Sequence, residues 1–211
     1  TDSGELTYEE AFTVNITDVN DAPSSLALSA SSIAENSSGL DIGTLSSTDE
    51  DANDTFTYEL SGTDKDFFEL SGTTLKLKDT STANFEVKSS YDVTITTTDA
   101  GGLSKAQDLT INVTDVNEIP TDIDLSATAV AENIAGITIA TISTTDPDAN
   151  DTFTYTLSGD DADNFEVSGS SLKFKDTVSP NFENKSSYAV TLTATDSGEL
   201  TYEEAFTVNI T

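Results

Sequence analysis

Two eleven-residue stretches gather the side chains most capable of chemistry. "TDPDANDTFTY", residues 145–155, presents Asp146, Asp148, Asn150 and Asp151; "TDEDANDTFTY", residues 48–58, matches it at ten of eleven places with Asp49, Asp51, Asn53 and Asp54. Alternate carboxylates beside an Asn amide in a short loop supply hard oxygen donors and nothing softer. The chain contains no His and no Cys, so it has no imidazole base, no thiolate nucleophile and no nitrogen- or sulfur-ligated metal. All 8 basic residues are lysines, scattered singly. No Ser is paired with a base, and carboxylates working as a glycosidase need separate environments and a substrate cleft, so enzyme activity is not expected. The plain alternative for the Asp and Asn residues is that they merely favour turns.

Charge narrows the partners. Across 211 residues, 39 acidic side chains face 8 basic ones, a formal net charge of -31. Nucleic acid and anionic membrane surfaces would be repelled, and cations are needed wherever carboxylates crowd. With 35% hydrophobic residues in alternating patterns the chain can nevertheless bury a core. No apolar run approaches the roughly 18 residues of a membrane helix, and "TDSGELTYEE" does not read as a signal peptide.

The elements that must position the acidic loops follow from an internal repeat. Residues 18–114 align with 115–211 at an offset of 97 without a gap, and about 55 of the residue pairs are identical. Two tandem modules are predicted, 18–114 and 115–211. Residues 1–17, "TDSGELTYEEAFTVNIT", recur letter for letter at 195–211, which makes them the expected closing-strand remnant of a preceding repeat. Strict alternation marks strands: Leu109, Ile111 and Val113, then Phe206, Val208 and Ile210 in the copy; Tyr91, Val93 and Ile95, then Tyr188, Val190 and Leu192. Phe56, Tyr58 and Leu60, Leu75 and Leu77, and Leu40, Ile42 and Leu45 supply further strands. About seven short strands per module, separated by Gly, Asn, Asp and Ser turns, predict an all-β fold of tandem seven-strand sandwiches. The sixteen aromatic residues lie mostly at alternating strand positions and read as core, and Asp64, Asp66, Asp160, Asp161 and Asp163 read as solvated turns.

In such sandwiches the carboxylates fall at strand ends. Glu35, Glu86, Asp115 and Glu118 are expected at the lower end of the first module and its linker; Asp146, Asp148 and Asp196 are expected at the upper end of the second. Seven negative charges in one small volume would cost on the order of 4 kcal/mol per close pair at 4 Å and an effective dielectric near 20. Oxygen donors alone, with six to eight places for a flexible shell, select Ca²⁺.

The ordered motifs "AEN", "DxDxN" before "FTYxLSG", "FE" with "SSYxVTxTxTD", and "DVND" or "DVNE" before Pro resemble cadherin repeats, and more closely the bacterial cadherin-like repeats of large surface adhesins. The resemblance spans essentially the whole chain. It implies seven-strand Greek-key sandwiches with calcium between successive modules. It further implies that Glu35 and Glu86 bridge ions from the first module, that Asp115, Asn117 and Glu118 contribute from the linker, and that Asp146 and Asp148 bind from the second. Asn150 and Asp196 would complete the outermost ion. Asn84 and Asn181 stand where the family pattern carries Asp, and the linker is one residue short, so two or three ions per junction are both compatible. Ahead of the first module, Asp18, Asn20 and Asp21 with Asp49, Asp51, Asn53 and Asp99 would form a half-site for one weaker ion.

These readings converge on a calcium-binding, calcium-stiffened extender or adhesion module of a secreted or cell-surface protein. Neighbouring repeats of the same protein are its expected partners, with homophilic contacts or polysaccharide as further ones. A calcium-dependent carbohydrate-binding module is the alternative.

Overall fold

The computed structural model describes every residue except Asp2 and Leu6. Its contacts divide the chain into two compact units: residues 1–83 with 89–114, and residues 84–88 with 115–211.

In the first unit, β1 (Ser25–Leu28), β2 (Ser32–Ala34), β3 (Asp41–Thr48), β4 (Thr57–Ser61), β5 (Phe68–Ser71), β6 (Thr74–Leu77), β7 (Ser90–Thr98) and β8 (Ser104–Thr114) form two four-stranded sheets. One is ordered β1-β3-β6-β5 and the other β2-β8-β7-β4. The second unit repeats this with β9 (Asp122–Leu125), β10 (Ala129–Val130), β11 (Thr138–Thr145), β12 (Thr154–Ser158), β13 (Phe165–Ser168), β14 (Ser171–Phe174), β15 (Ser187–Thr195) and β16 (Thr201–Ile210). Its sheets are ordered β13-β14-β11-β9 and β10-β16-β15-β12. The predicted sandwich is present in each unit, with one refinement. The opening strand breaks into β1 and β2, the first antiparallel to β3 and the second parallel to β8, so one sequence segment serves both sheets.

Alternation creates the cores. Along β7, Tyr91, Val93, Ile95 and Thr97 turn inward and are buried, with Asp92 outward. Fully buried Leu75 and Leu77 come from β6, and Leu172 and Phe174 occupy the same places in β14. Phe165 stacks on Phe174 with ring centroids 4.6 Å apart, and Tyr188 meets both rings edge-on. The uneven spacing of Ile42 and Leu45 has a local cause: the β3–β6 register shifts between Asp41 and Gly43, and the bulge turns both side chains inward.

Two sequence expectations change. Asp64 is not a solvated turn residue: it is buried, and its carboxylate accepts the backbone N–H of Asp92 at 2.7 Å, tying the β4–β5 connection to β7. Its equivalent, Asp161, accepts the Ala189 N–H and pairs with Lys185. Asp66, Asp160 and Asp163 are exposed as expected. Residues 7–23 join no sheet, and Phe12, Val14 and Ile16 are 81%, 86% and 95% exposed.

Candidate metal centre

The second unit builds its acidic end from three loops. After β11 the chain turns through Asp146–Asp151, with Asn150 in the left-handed region at φ 70°, a geometry Asn accepts more readily than most residues. The β15–β16 connection supplies Asp196 and Gly198, and the stretch entering the unit supplies Asp115–Glu118.

Hydrogen bonds lock these loops together. Asp146 Oδ1 accepts the Asp148 N–H at 3.0 Å, and Asp148 Oδ2 accepts the Glu118 N–H at 2.7 Å. Buried Asp196 accepts the Leu200 N–H through Oδ1 and the Asn117 amide through Oδ2, at 2.8 and 3.0 Å. Asp151 Oδ1 accepts the N–H groups of Thr152 and Ser197, at 2.6 and 3.3 Å. A Cβ on Gly198 would fall on the Asn117 amide, so any other residue there would push that amide from its place beside Asp196.

Once those bonds are made, oxygens are left over. Asp146 Oδ2, Asp148 Oδ1 and Asp151 Oδ2 are buried and have no hydrogen-bond partner among the described residues. A buried carboxylate oxygen without a donor is costly. Carboxylates also gather here in two groups: Asp146, Asp151 and Asp196 each bring an oxygen within 4.8 Å of the others, and so do Glu86, Glu118 and Asp148. A cleft of about 350 Å³ is lined by Asp115, Asn117, Asp148, Asn150, Asp151 and Ser197, among others. Burial pushes the Asp146 carboxyl above the usual Asp range, and the charges of Asp148, Asp151 and Asp196 add to the rise. Asp151 moves the other way, because hydrogen bonding to Ser197 and Thr152 favours its ionised form.

The first unit repeats this geometry. Asn20 donates to Asp99 Oδ2 at 3.1 Å, the Asp21 N–H to Asp51 Oδ2 at 2.8 Å, and the Asp51 N–H to Asp49 Oδ1 at 3.1 Å. Asp49, Asp54 and Asp99 have carboxylate oxygens within 4.8 Å of one another, and Asp49 Oδ2 is buried without a partner among the described residues. Gly101 meets Asn20 as Gly198 meets Asn117. Asn53 takes the left-handed conformation of Asn150, at φ 68°.

Most residues singled out from sequence thus gather within their own units: Asn20, Asp21, Asp49, Asp51 and Asp99 in one, and Glu86, Asp115, Asn117, Glu118, Asp146, Asp148, Asn150 and Asp196 in the other. Glu35 is buried just after β2, and Asp18 lies exposed in the lead-in to the first unit. Asp54 and Asp151, which the sequence offers as oxygen donors of the two loops without a place at an ion, each join such a group. The "DxDxN" pattern ends one residue before them, and the Asp that follows Asn in both copies is the signal that marks them. The two Asn residues at φ 68° and 70° set the turn that aims the next carboxylate inward. Asn84 and Asn181 serve as turn caps, accepting the N–H groups of Val87 and Asn184.

An oxygen-only donor set, carrying several negative charges and buried oxygens that lack protein donors, fits a hard divalent cation such as Ca²⁺. The residues present therefore fit the ion that the motifs imply.

Residues 29–114 match the Cadherin domain family. Human Protocadherin Fat 4 is 28% identical over 192 residues, covering 85% of this chain, which in turn spans 4% of that relative. Human Protocadherin-24 EC1-2 aligns with a TM-score of 0.73 at 20% identity, covering 92% of this chain and 99% of that one. The Protocadherin GammaB4 extracellular domain aligns with a TM-score of 0.67 at 24% identity, covering 92% of this chain and 33% of that one. These structural likenesses show a fold shared with protocadherin extracellular domains.

Proposed function

We propose that the chain is a tandem pair of calcium-binding, cadherin-like modules of an extracellular adhesion protein. In this reading calcium neutralises the acidic loops and stiffens the succession of modules, and the chain serves as an extender of a long surface adhesin of bacterial type and in cell aggregation. The reading is carried by the buried, donor-less oxygens of Asp146, Asp148 and Asp151. Carboxylates so placed repel one another unless a cation lies among them. Glu86, Asp115, Asn117, Glu118 and Asp196 provide further oxygens beside them. The fold shared with a protocadherin extracellular domain supports an extracellular setting. No helix among the described residues is long and apolar enough to cross a membrane.

Calorimetric titration tests the ion. Calcium should bind with dissociation constants on the order of 10⁻⁴ to 10⁻³ M, the range of extracellular modules, and Asp148→Ala should lower the number of ions bound while each unit keeps its melting transition. Absence of calcium binding by the parent chain would sink the proposal. Small-angle scattering tests the stiffening separately: dimensions should grow on adding calcium, and unchanged dimensions would leave calcium binding without the extender role.

A further inference from the structure

The loops that carry Asp54 and Asp151 read almost alike, but the residue that reaches across to each of them differs. Asp151 Oδ1 accepts the N–H groups of Thr152 and Ser197, at 2.6 and 3.3 Å. Asp54 Oδ1 accepts those of Thr55 and Ala100, at 2.7 and 3.2 Å. Ser197 follows Asp196 as Ala100 follows Asp99, so the two are equivalent in the repeat. The serine adds a donor that the alanine lacks: its hydroxyl also bonds the Asp151 carboxylate.

We propose that Ser197 is a positioning residue for the ion at Asp146, Asp151 and Asp196, an inference that rests on the calcium-binding function proposed above. Its hydroxyl fixes the Asp151 carboxylate and leaves Oδ2, buried and without a hydrogen-bond partner among the described residues, for the ion. The Thr152 N–H belongs to the next residue and travels with Asp151. Ser197 instead reaches Asp151 from the β15–β16 connection, which also carries Asp196. That connection is itself tied twice: the Asp196 N–H donates to Leu200 O at 3.0 Å, and the buried Asp196 accepts the Leu200 N–H through Oδ1 at 2.8 Å. The hydroxyl therefore joins two of the three carboxylates of one group through a short, closed loop.

Two carboxylates repel when brought close, and a free side chain would swing away until an ion arrived. A hydrogen bond from a neighbouring loop holds the carboxylate in place beforehand, so less freedom is lost on binding. Partners of this kind are worth about tenfold to a hundredfold in metal affinity. Ala100 offers the first unit no hydroxyl for the same task. Repeats with the same carboxylates can thus differ in calcium affinity through the one residue that follows the Asp of "TD".

Nuclear magnetic resonance on the full chain tests this loop by loop, with the backbone amides of Asn53 and Asn150 followed as calcium chloride is added. Ser197→Ala should weaken the ion seen at Asn150 about tenfold and leave the one seen at Asn53 at its parent value. Ser197→Thr restores a hydroxyl and should stay close to the parent, and Ala100→Ser should tighten the ion seen at Asn53. One readout needs no ion: in the calcium-free chain the amide order parameter of Asp151 should fall from about 0.85 towards about 0.6 in Ser197→Ala and recover in Ser197→Thr. A double variant separates positioning from direct ligation. In an Asp151→Ala background, Ser197→Ala should cost no further affinity, because the group it positions is gone. A parent that binds calcium and a Ser197→Ala chain that binds it equally well would overturn the role of Ser197 and leave the calcium function standing. Failure of Ser197→Thr to recover, no gain from Ala100→Ser, or a full second loss in the Asp151→Ala background would overturn it as well.

Discussion

At the scale of single residues, the left-handed Asn and the Asp after it divide one task. Asn150 makes the turn, and Asp151 delivers a carboxylate held ionised by the Ser197 and Thr152 hydrogen bonds. Asn150→Gly keeps the backbone freedom and removes the amide; Asp151→Asn keeps the shape and removes the charge. Calcium titration should show Asp151→Asn weakening the ion near Asp196 by about tenfold or more and Asn150→Gly leaving it close to the parent value. The reverse order would make the Asn150 amide the ligand. Asp161 makes a second residue-scale case. Lys185 and the Ala189 N–H lower its pKa, so its contribution is complete above the pKa of an unfolded Asp, about 3.9, and is lost as pH falls through the lower folded value. Asp161→Asn should destabilise the second unit by about 1 kcal/mol at neutral pH, and denaturant titrations should show the gap closing below about pH 4. A gap unchanged down to pH 2 would deny the ion pair its role.

At the scale of elements, each sandwich stands on a few fully buried side chains, and Phe174 in β14 is the largest test. It is fully buried against Phe165 and Tyr188, so Phe174→Ala should cost about 3–5 kcal/mol. Calorimetry should show one transition falling and the other staying, since each unit has its own core; a joint fall would mean that the units melt as one. Strands of this kind were legible in the sequence because alternation is all they require: Tyr91, Val93 and Ile95 read as inward, and they are. The broken opening strand was not legible, because three residues of β2 and two of β10 are too few for a period to show. Nor were the anchors Asp64 and Asp161: a turn-forming Asp and one that accepts a distant N–H look alike until β7 and β15 are placed beside them. The acidic loops were legible by composition and order. Gly101 and Gly198 were not, since the closeness of the Asn20 and Asn117 amides to them appears only in the folded chain.

At the scale of the whole molecule, a net charge of -31 makes stability depend on which cations are present. Sodium only screens, whereas a divalent ion bound among buried oxygens stabilises by mass action, about 2.7 kcal/mol at a hundredfold excess over its dissociation constant. Melting temperature should therefore rise more in calcium chloride than in sodium chloride of equal ionic strength, and equal rises would leave screening as the whole effect. Each unit's strand order carries a mechanical consequence as well. The segment Asn117–Glu118 enters the second unit beside Asp196, and β16 starts at that same end and runs ten residues to the other, parallel to β10. Tension between residues 115 and 211 thus slides β16 along β10 and β15, loading every rung of those ladders at once. Tension between residues 187 and 211 would instead unzip β15 from β16 one rung at a time. Single-molecule pulling should give a clearly higher rupture force in the first geometry, and equal forces would refute it. A module wired this way is a link that bears load along its own length, whatever it is fastened to.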